Sequence, residues 1–157
     1  MGETNAKIRT ARRGLKRLGY VAADVSEREF HDYMTSEVFS DDPTTLRDVL
    51  GNEFLTIHEL VEISELKKMG VRIDKRVIVD SPKAMIYKAH FAAIETELNY
   101  ALFKGDTFWA KFRLGQHKAS VLNDDPNLPK EMRPRAEEIW KKFRKLIETY
   151  SKVPLEK

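Results

Sequence analysis

Glycine and proline residues divide this chain into short segments, and almost every segment repeats its apolar residues with the spacing of an α-helix. Gly19, Gly70 and Gly105 each follow such a segment directly, at a position where glycine commonly ends a helix. Pro43 and Pro82 stand at the start of later segments, where proline is tolerated because its missing N–H would have no partner there. The pattern therefore predicts a mainly α fold, which we expect to be a bundle of five to six helices.

Capping signals refine the boundaries of these helices. Ser26 and Glu29 have the spacing of a capping box, and Val25 and Phe30 have the spacing of a hydrophobic staple. Gly51 interrupts the apolar pattern between two neighbouring segments. Helices are expected at residues 5–18, from Ser26 to about Val38, from Asp42-Pro43 to Leu50, at 53–69, at 82–104, from Thr107 to about Leu122, and from Glu131 or Arg135 to Tyr150.

The segment 71–79 has a different pattern. Val71, Ile73, Val77 and Val79 alternate with other residues, and β-branched side chains are frequent, which favours a short β element. No second segment of this quality occurs, so a strand here would need another partner for its backbone groups. It could pair with its copy across a two-fold axis, serve as an extended connector, or fold into a hairpin. We rank the homodimer slightly ahead of the connector and place the hairpin last.

Composition restricts the class of protein. With 157 residues, of which 41% are hydrophobic and 34% charged, the chain is expected to form a single helical domain over residues 1–157. The sequence holds no cysteine, which excludes disulfides and thiolate metal ligands. It contains no apolar run of membrane-spanning length and no apolar core of a signal peptide, so we expect a cytoplasmic protein without membrane contact. The high content of lysine, arginine and glutamate resembles that of thermophile proteins.

Basic residues are concentrated at the two ends of the chain. Residues 1–17 hold six basic side chains and one acidic one, and residues 130–157 hold nine basic and five acidic ones, although the net charge is only +3. Such ends favour contact with nucleic acid or an acidic partner, unless they dock on the acidic middle of the chain or remain solvated. The candidate anion-binding residues on the first helix are Arg9, Arg12, Arg13, Lys16 and Arg17.

The predicted helix 53–69 is apolar on nearly all sides, which is typical of a helix at the centre of a fold. His58, Glu62 and Glu65 nevertheless fall along one stripe of this helix. Polar side chains at such positions are expected inside the protein or along a cleft.

The predicted helix 82–104 carries a second polar pair. His90 and Glu97 interrupt its apolar face, whereas Glu95 lies on its polar side. Imidazole and carboxylate groups from facing helices form divalent metal sites, act as general acid and base, or merely form a buried hydrogen-bonded network. Because an unpaired buried polar group costs roughly 1–3 kcal/mol, we expect the two histidines within about 8 Å of each other or each bonded to a carboxylate. The candidate ligands of a divalent metal are His58, Glu62, Glu65, His90 and Glu97.

The other well-defined histidine is predicted to be solvated. On the helix from Thr107, Phe108 and Phe112 define an apolar stripe, and His117 falls on the opposite face near Arg113. We therefore expect the phenylalanine stripe to face the core and His117 to face water.

Two acidic segments, Glu59-Leu-Val-Glu62 and Glu62-Ile-Ser-Glu65, resemble the first acidic element of the all-α nucleotide pyrophosphohydrolases. Those enzymes carry a second Glu-x-x-Asp on the following helix, where this chain has Glu95-Thr-Glu97-Leu98, so no family is assigned.

Two functions stay open at this point, and no catalytic residue is assigned. The first is a binding or scaffold module with basic terminal helices. The second is a divalent-metal-dependent hydrolase of a phosphorylated small molecule or nucleotide, with its site between the helices 53–69 and 82–104.

Overall fold

The computed structural model describes residues 2–39, 44–123 and 125–151, and within these ranges the chain forms eight α-helices and no strand. The predicted mainly α class is confirmed, but the eight helices exceed the expected five to six, and the single-turn helix α5 was not anticipated. A π-helical segment, His117–Asn123, continues α7, and a 3-10 turn, Lys130–Met132, precedes α8. The helices are α1 (Gly2–Arg17), α2 (Glu27–Met34), α3 (Leu46–Leu50), α4 (Glu53–Lys68), α5 (Val77–Asp80), α6 (Lys83–Phe103), α7 (Thr107–Gln116) and α8 (Arg133–Ser151).

The capping box predicted before α2 is confirmed. The Ser26 hydroxyl accepts a hydrogen bond from the Glu29 backbone N–H, and the Glu29 carboxylate accepts one from the Ser26 backbone N–H. Val25 and Phe30 are both buried, as a hydrophobic staple requires. The helix is shorter than expected and ends at Met34.

A second capping box opens α3. The Thr45 hydroxyl accepts from the Asp48 backbone N–H, and the Asp48 carboxylate accepts from the Thr45 backbone N–H. The helix start predicted at Asp42-Pro43 lies outside the described residues, and the end predicted at Leu50 is confirmed.

The β element predicted at 71–79 is wrong. Ile73 and Val77 are buried in the core, the charged residues between them are exposed, and Val77 begins the single-turn helix α5. The Asp74 carboxylate accepts from the backbone N–H of Arg76 and so starts a turn instead of an extended strand. Two apolar residues four positions apart suit a helical turn as well as a strand. The connector alternative fits this arrangement, and the dimer, which stays a prediction, loses the strand through which it would pair.

The helices α4 and α6 form the centre of the fold. They pack against each other along their length, α1, α2 and α3 pack on α4, and α7 and α8 pack on α6. This position explains why α4 is apolar on nearly all sides. Among the helices of the described residues, none has the length and apolar character that a membrane span needs.

Candidate metal centre

Polar side chains lie at the middle of the α4–α6 interface. His58 contacts Glu97, and Glu62, one turn further along α4, contacts His90. The contact partners descend along α6 as the positions ascend along α4, so the two helices run antiparallel. This arrangement brings two imidazoles and two carboxylates together between the central helices.

His58 is buried, and a carboxylate binds each of its ring nitrogens. Nδ1 donates to Glu97 Oε1 at 2.8 Å, and Nε2 donates to Glu62 Oε2 at 2.6 Å. Burial alone would lower the pKa of His58, but the charge of Glu62 and the hydrogen bonds to both carboxylates outweigh it and raise the pKa to about 10. His58 is therefore an imidazolium that donates from both nitrogens.

Glu62 binds both histidines. Its Oε2 also lies 2.9 Å from Nδ1 of His90, which donates to it, and its Oε1 accepts from the Tyr33 hydroxyl. Burial would raise the pKa of Glu62, but the charge of His58 and the hydrogen bonds from both imidazoles hold this pKa far below its usual range. Burial lowers the pKa of His90 despite the hydrogen bond to Glu62, so this ring is neutral.

The prediction about the two histidines is confirmed. The ring centroids of His58 and His90 are 5.0 Å apart, and each ring is bonded to a carboxylate. The two rings differ in access to solvent, since the His58 side chain is buried and that of His90 is 25% exposed.

Glu97 is held from the side of α7. Trp109 Nε1 donates to Glu97 Oε2 at 2.7 Å, and Arg113 Nε donates to Oε1 at 2.9 Å. Burial would raise the pKa of Glu97, but the charge of Arg113 and the hydrogen bond from His58 lower it further than burial raises it. Glu97 is thus an ionised carboxylate whose position is fixed by three donors.

Three of these side chains could hold a metal ion. One ligand atom each from His58, Glu62 and His90 lies within 4.8 Å of the other two. Two imidazoles and a carboxylate suit zinc and other divalent transition metals. Glu97 orients His58 and Tyr33 orients Glu62, which is the kind of outer support that positions ligands at metal sites.

The structure does not bring Glu65 to this cluster. The Glu65 carboxylate instead accepts from the Tyr20 hydroxyl at 2.6 Å and pairs with Lys68. Glu65 lies on the same stripe of α4 as His58 but about 10 Å further along the helix axis, so its carboxylate reaches the segment that follows α1 instead of the cluster.

Three supporting residues, Tyr33, Trp109 and Arg113, were missed in the sequence. The spacing of Trp109 and Arg113, four residues apart on α7, is a signal that places both on one face. Their role depends on Glu97, which α6 presents from a distant part of the chain. The pattern of α7 alone therefore could not reveal it.

The prediction about the two faces of α7 is wrong. Phe108 is 80% exposed and His117 is buried. The assignment of opposite faces was correct, but the face that carries Trp109 and Arg113 turns inward, because these side chains bind the buried carboxylate of Glu97. A buried charge without partners would cost more free energy than leaving an aromatic ring in water.

His117 has one unsatisfied nitrogen. Its Nε2 donates to the backbone carbonyl of Ala136 at 2.9 Å, and its buried Nδ1 has no hydrogen-bond partner within the described part of the chain. Burial lowers the pKa of His117 to about 4. The ring is therefore neutral near pH 7.

The candidate anion-binding residues of α1 fall into two groups. Arg12 binds Asp24 at 3.1 Å and the carbonyl oxygen of Val25, and so ties α1 to the segment before α2. The other four are exposed and form no ion pair with any described residue; they are Arg9, Arg13, Lys16 and Arg17.

Comparison of the chain with models of protein families, with curated proteins and with solved structures found no match.

Proposed function

We propose that this protein binds one divalent transition-metal ion through His58 Nε2, Glu62 Oε2 and His90 Nδ1. The observation that carries the proposal is the single carboxylate oxygen, Glu62 Oε2, to which both imidazoles donate. A proton on each imidazole now mediates these contacts. An ion would displace the proton from Nε2 of His58, while the proton of the neutral His90 ring would move from Nδ1 to Nε2 and leave Nδ1 free to bind the ion.

The distances support this replacement. Ligand atoms around a tetrahedral zinc ion lie about 3.3 Å apart, given bonds of about 2.0–2.1 Å. The two imidazole nitrogens lie 2.6 Å and 2.9 Å from Glu62 Oε2. Each imidazole nitrogen therefore needs to move away from Glu62 Oε2 by less than about 1 Å, while Glu97 continues to hold His58 and Tyr33 continues to hold Glu62.

The balance of charges in the cluster also supports metal binding. Without metal, the cations His58 and Arg113 balance the carboxylates Glu62 and Glu97. A divalent ion that displaces the His58 proton leaves one positive charge in excess, which a hydroxide ion or another anion at a free coordination position would neutralise. The exposed edge of His90 is where such a ligand would enter.

Hydrolysis of a phosphorylated substrate would require a further group that holds the phosphate. Arg113 is the guanidinium within the cluster, but its Nε is bound to Glu97 and its side chain is largely buried. The contacts thus favour metal binding, and hydrolysis stays a prediction that phosphatase and nucleotide hydrolysis assays of the metal-loaded protein would test.

Isothermal titration calorimetry with Zn²⁺, after treatment with a chelator, tests the proposal. The wild-type protein should bind one ion per chain, and His90→Ala should weaken binding at least about 100-fold because it removes a direct ligand. Glu62→Gln should weaken it similarly, because the neutral amide is a poor ligand.

His31→Ala is the matched control. His31 also lies on a helix, but its side chain is 53% exposed and outside the cluster. The proposal is contradicted if wild-type protein binds no ion, or if His31→Ala loses as much affinity as His90→Ala while circular dichroism shows both to be folded. A buried network without a ligand would then be the better description of these residues.

A further inference from the structure

A groove opens where the end of α1, α6 and the end of α8 meet. It has a volume of about 470 Å³, and its walls include Tyr20, Asn99, Phe103, Leu146 and Tyr150. None of the candidate metal ligands lines it. The groove is therefore a second feature of the molecule, independent of the metal centre.

Two aromatic rings of the groove are turned largely to solvent. Phe103 on α6 is 56% exposed and Tyr150 on α8 is 62% exposed. One side of the Phe103 ring stacks on buried Tyr100, with 6.4 Å between the centroids and 29° between the planes. Such rings offer flat faces for stacking, and the Phe103 ring is already supported from beneath.

The rim of the groove is positively charged. Arg17 ends α1 directly before the groove residues Leu18, Gly19 and Tyr20, and Lys104 directly follows Phe103. Neither forms an ion pair with any residue that the structure describes. The nearby carboxylates of Glu65 and Glu148 are each paired with a basic side chain. The free charge of this rim is therefore cationic and suits an anion.

The exposed cations of α1 extend this charge away from the groove. Arg9, Arg13 and Arg17 recur every four residues and lie on one side of the helix. They span about 12 Å along the helix axis. An extended chain of several negative groups matches this row better than a single anion does.

The wall of the groove also carries a polar group without a hydrogen-bond partner among the described residues. The Asn99 side chain is exposed, and its amide makes no hydrogen bond to any described residue. An amide can donate to and accept from the edge of a nucleobase. The exposed rings can stack on bases, the free amide can bond to base edges, and the row of cations can bind phosphates. The groove and α1 therefore offer a contact for each part of a nucleotide.

We infer that this groove and the exposed face of α1 bind single-stranded nucleic acid. Unpaired bases would stack on Phe103 and Tyr150, and phosphates would lie along Arg17, Lys104 and the arginines of α1. A duplex would not fit in this way, because its base faces are already stacked on one another. An acidic polypeptide would use the cations but would leave the rings unused.

Fluorescence anisotropy with a labelled oligouridylate of about twelve nucleotides tests this inference. We expect a Kd in the micromolar range at about 50 mM salt, with affinity that falls steeply as salt increases. Phe103→Ala and Tyr150→Ala should each weaken binding about fivefold or more, and Tyr150→Phe should retain nearly full affinity because it keeps the ring. Lys104→Ala should make the salt dependence shallower by about 0.7 in a plot of log K against log salt.

Two variants outside the groove serve as controls. Phe108→Ala removes an even more exposed ring from α7, and Lys75→Ala removes an exposed cation, and both should bind like the wild type. The inference is overturned by no binding at low salt, by equal affinity for a duplex of the same length, by equal competition from polyglutamate, or by a loss in Phe108→Ala that matches Phe103→Ala.

Discussion

At the level of single residues, Glu97 is the group on which the cluster most depends. It is fully buried, holds Nδ1 of His58, and is itself held by Trp109 and Arg113. A carboxylate in this position increases the basicity of the imidazole that it orients and fixes which ring nitrogen faces a metal.

Replacing Glu97 by Gln should therefore lower metal affinity about 10- to 100-fold without removing a direct ligand. It should also destabilise the protein by about 3 kcal/mol or more, because Arg113 would remain buried without its counter-charge. Glu95→Gln is the control, since Glu95 stands on the same helix but binds Arg135 and Lys142 near the surface. Equal losses in the two variants, measured by calorimetry and urea unfolding, would show that Glu97 has no special role.

The buried ring of His117 predicts a pH dependence of stability. Its pKa is lowered from 6.5 to about 4, so the unfolded chain binds a proton at a higher pH than the folded one does. The resulting stability is complete above about pH 6.5 and is lost as the pH falls toward 4, by roughly 3 kcal/mol in all. Urea unfolding at several pH values should show a smaller decline over this range in His117→Gln. If stability declined equally in the wild-type protein and in His117→Gln, His117 would not be the group responsible for the pH dependence.

At the level of elements, the contact between α1 and α6 depends on a glycine. A Cβ atom added to Gly14 would lie 2.8 Å from Cε1 of Tyr100, whose ring is buried and whose hydroxyl donates to Glu53. The ring cannot move aside without giving up this hydrogen bond and its aromatic contacts. The close approach of the Tyr100 ring to the backbone of α1 at this point therefore requires glycine.

Gly14→Ala should destabilise the protein by about 1–2 kcal/mol, although alanine is the better helix former. Gly115 in α7 is the matched control, since no atom lies within 4 Å of a Cβ added there. Gly115→Ala should stabilise by up to about 1 kcal/mol. Thermal unfolding of both variants checks the contrast, and a stabilised Gly14→Ala protein would show that α1 does not pack as described.

The fold class and most of the longer helices could be predicted from the sequence because caps, glycines and apolar periodicity are local signals. The inward placement of His58 and His90 could be predicted too, since α4 and α6 have well-defined helical phases. The structure of the segment around Ile73 could not be predicted, because its alternating apolar residues suit both a strand and a helical turn.

The inward face of α7 could not be predicted for a different reason. Both of its faces carry apolar residues, and the buried charge of Glu97 decides which of them turns to the core. Such a choice depends on a contact between distant parts of the chain, and helical periodicity holds no information about it.

At the level of the whole molecule, the α4–α6 interface joins two halves of the hydrophobic core. Residues such as Ile57 and Leu60 pack with α1, α2 and α3, and Leu98 packs with Leu114 and Phe143 of α7 and α8. An ion bound by His58, Glu62 and His90 would connect the helices of both halves. Metal binding should therefore be linked to the stability of the entire fold.

Titration of the metal-free protein with Co²⁺, followed by visible absorption, tests the central claim most directly. Cobalt reports its ligands through its ligand-field bands, so the spectrum distinguishes a coordinated ion from a loosely held one. We expect bands that grow linearly to one ion per chain and then stop, and that are absent in folded Glu62→Gln protein. A spectrum that remains that of aqueous Co²⁺ at every ratio would contradict the metal centre.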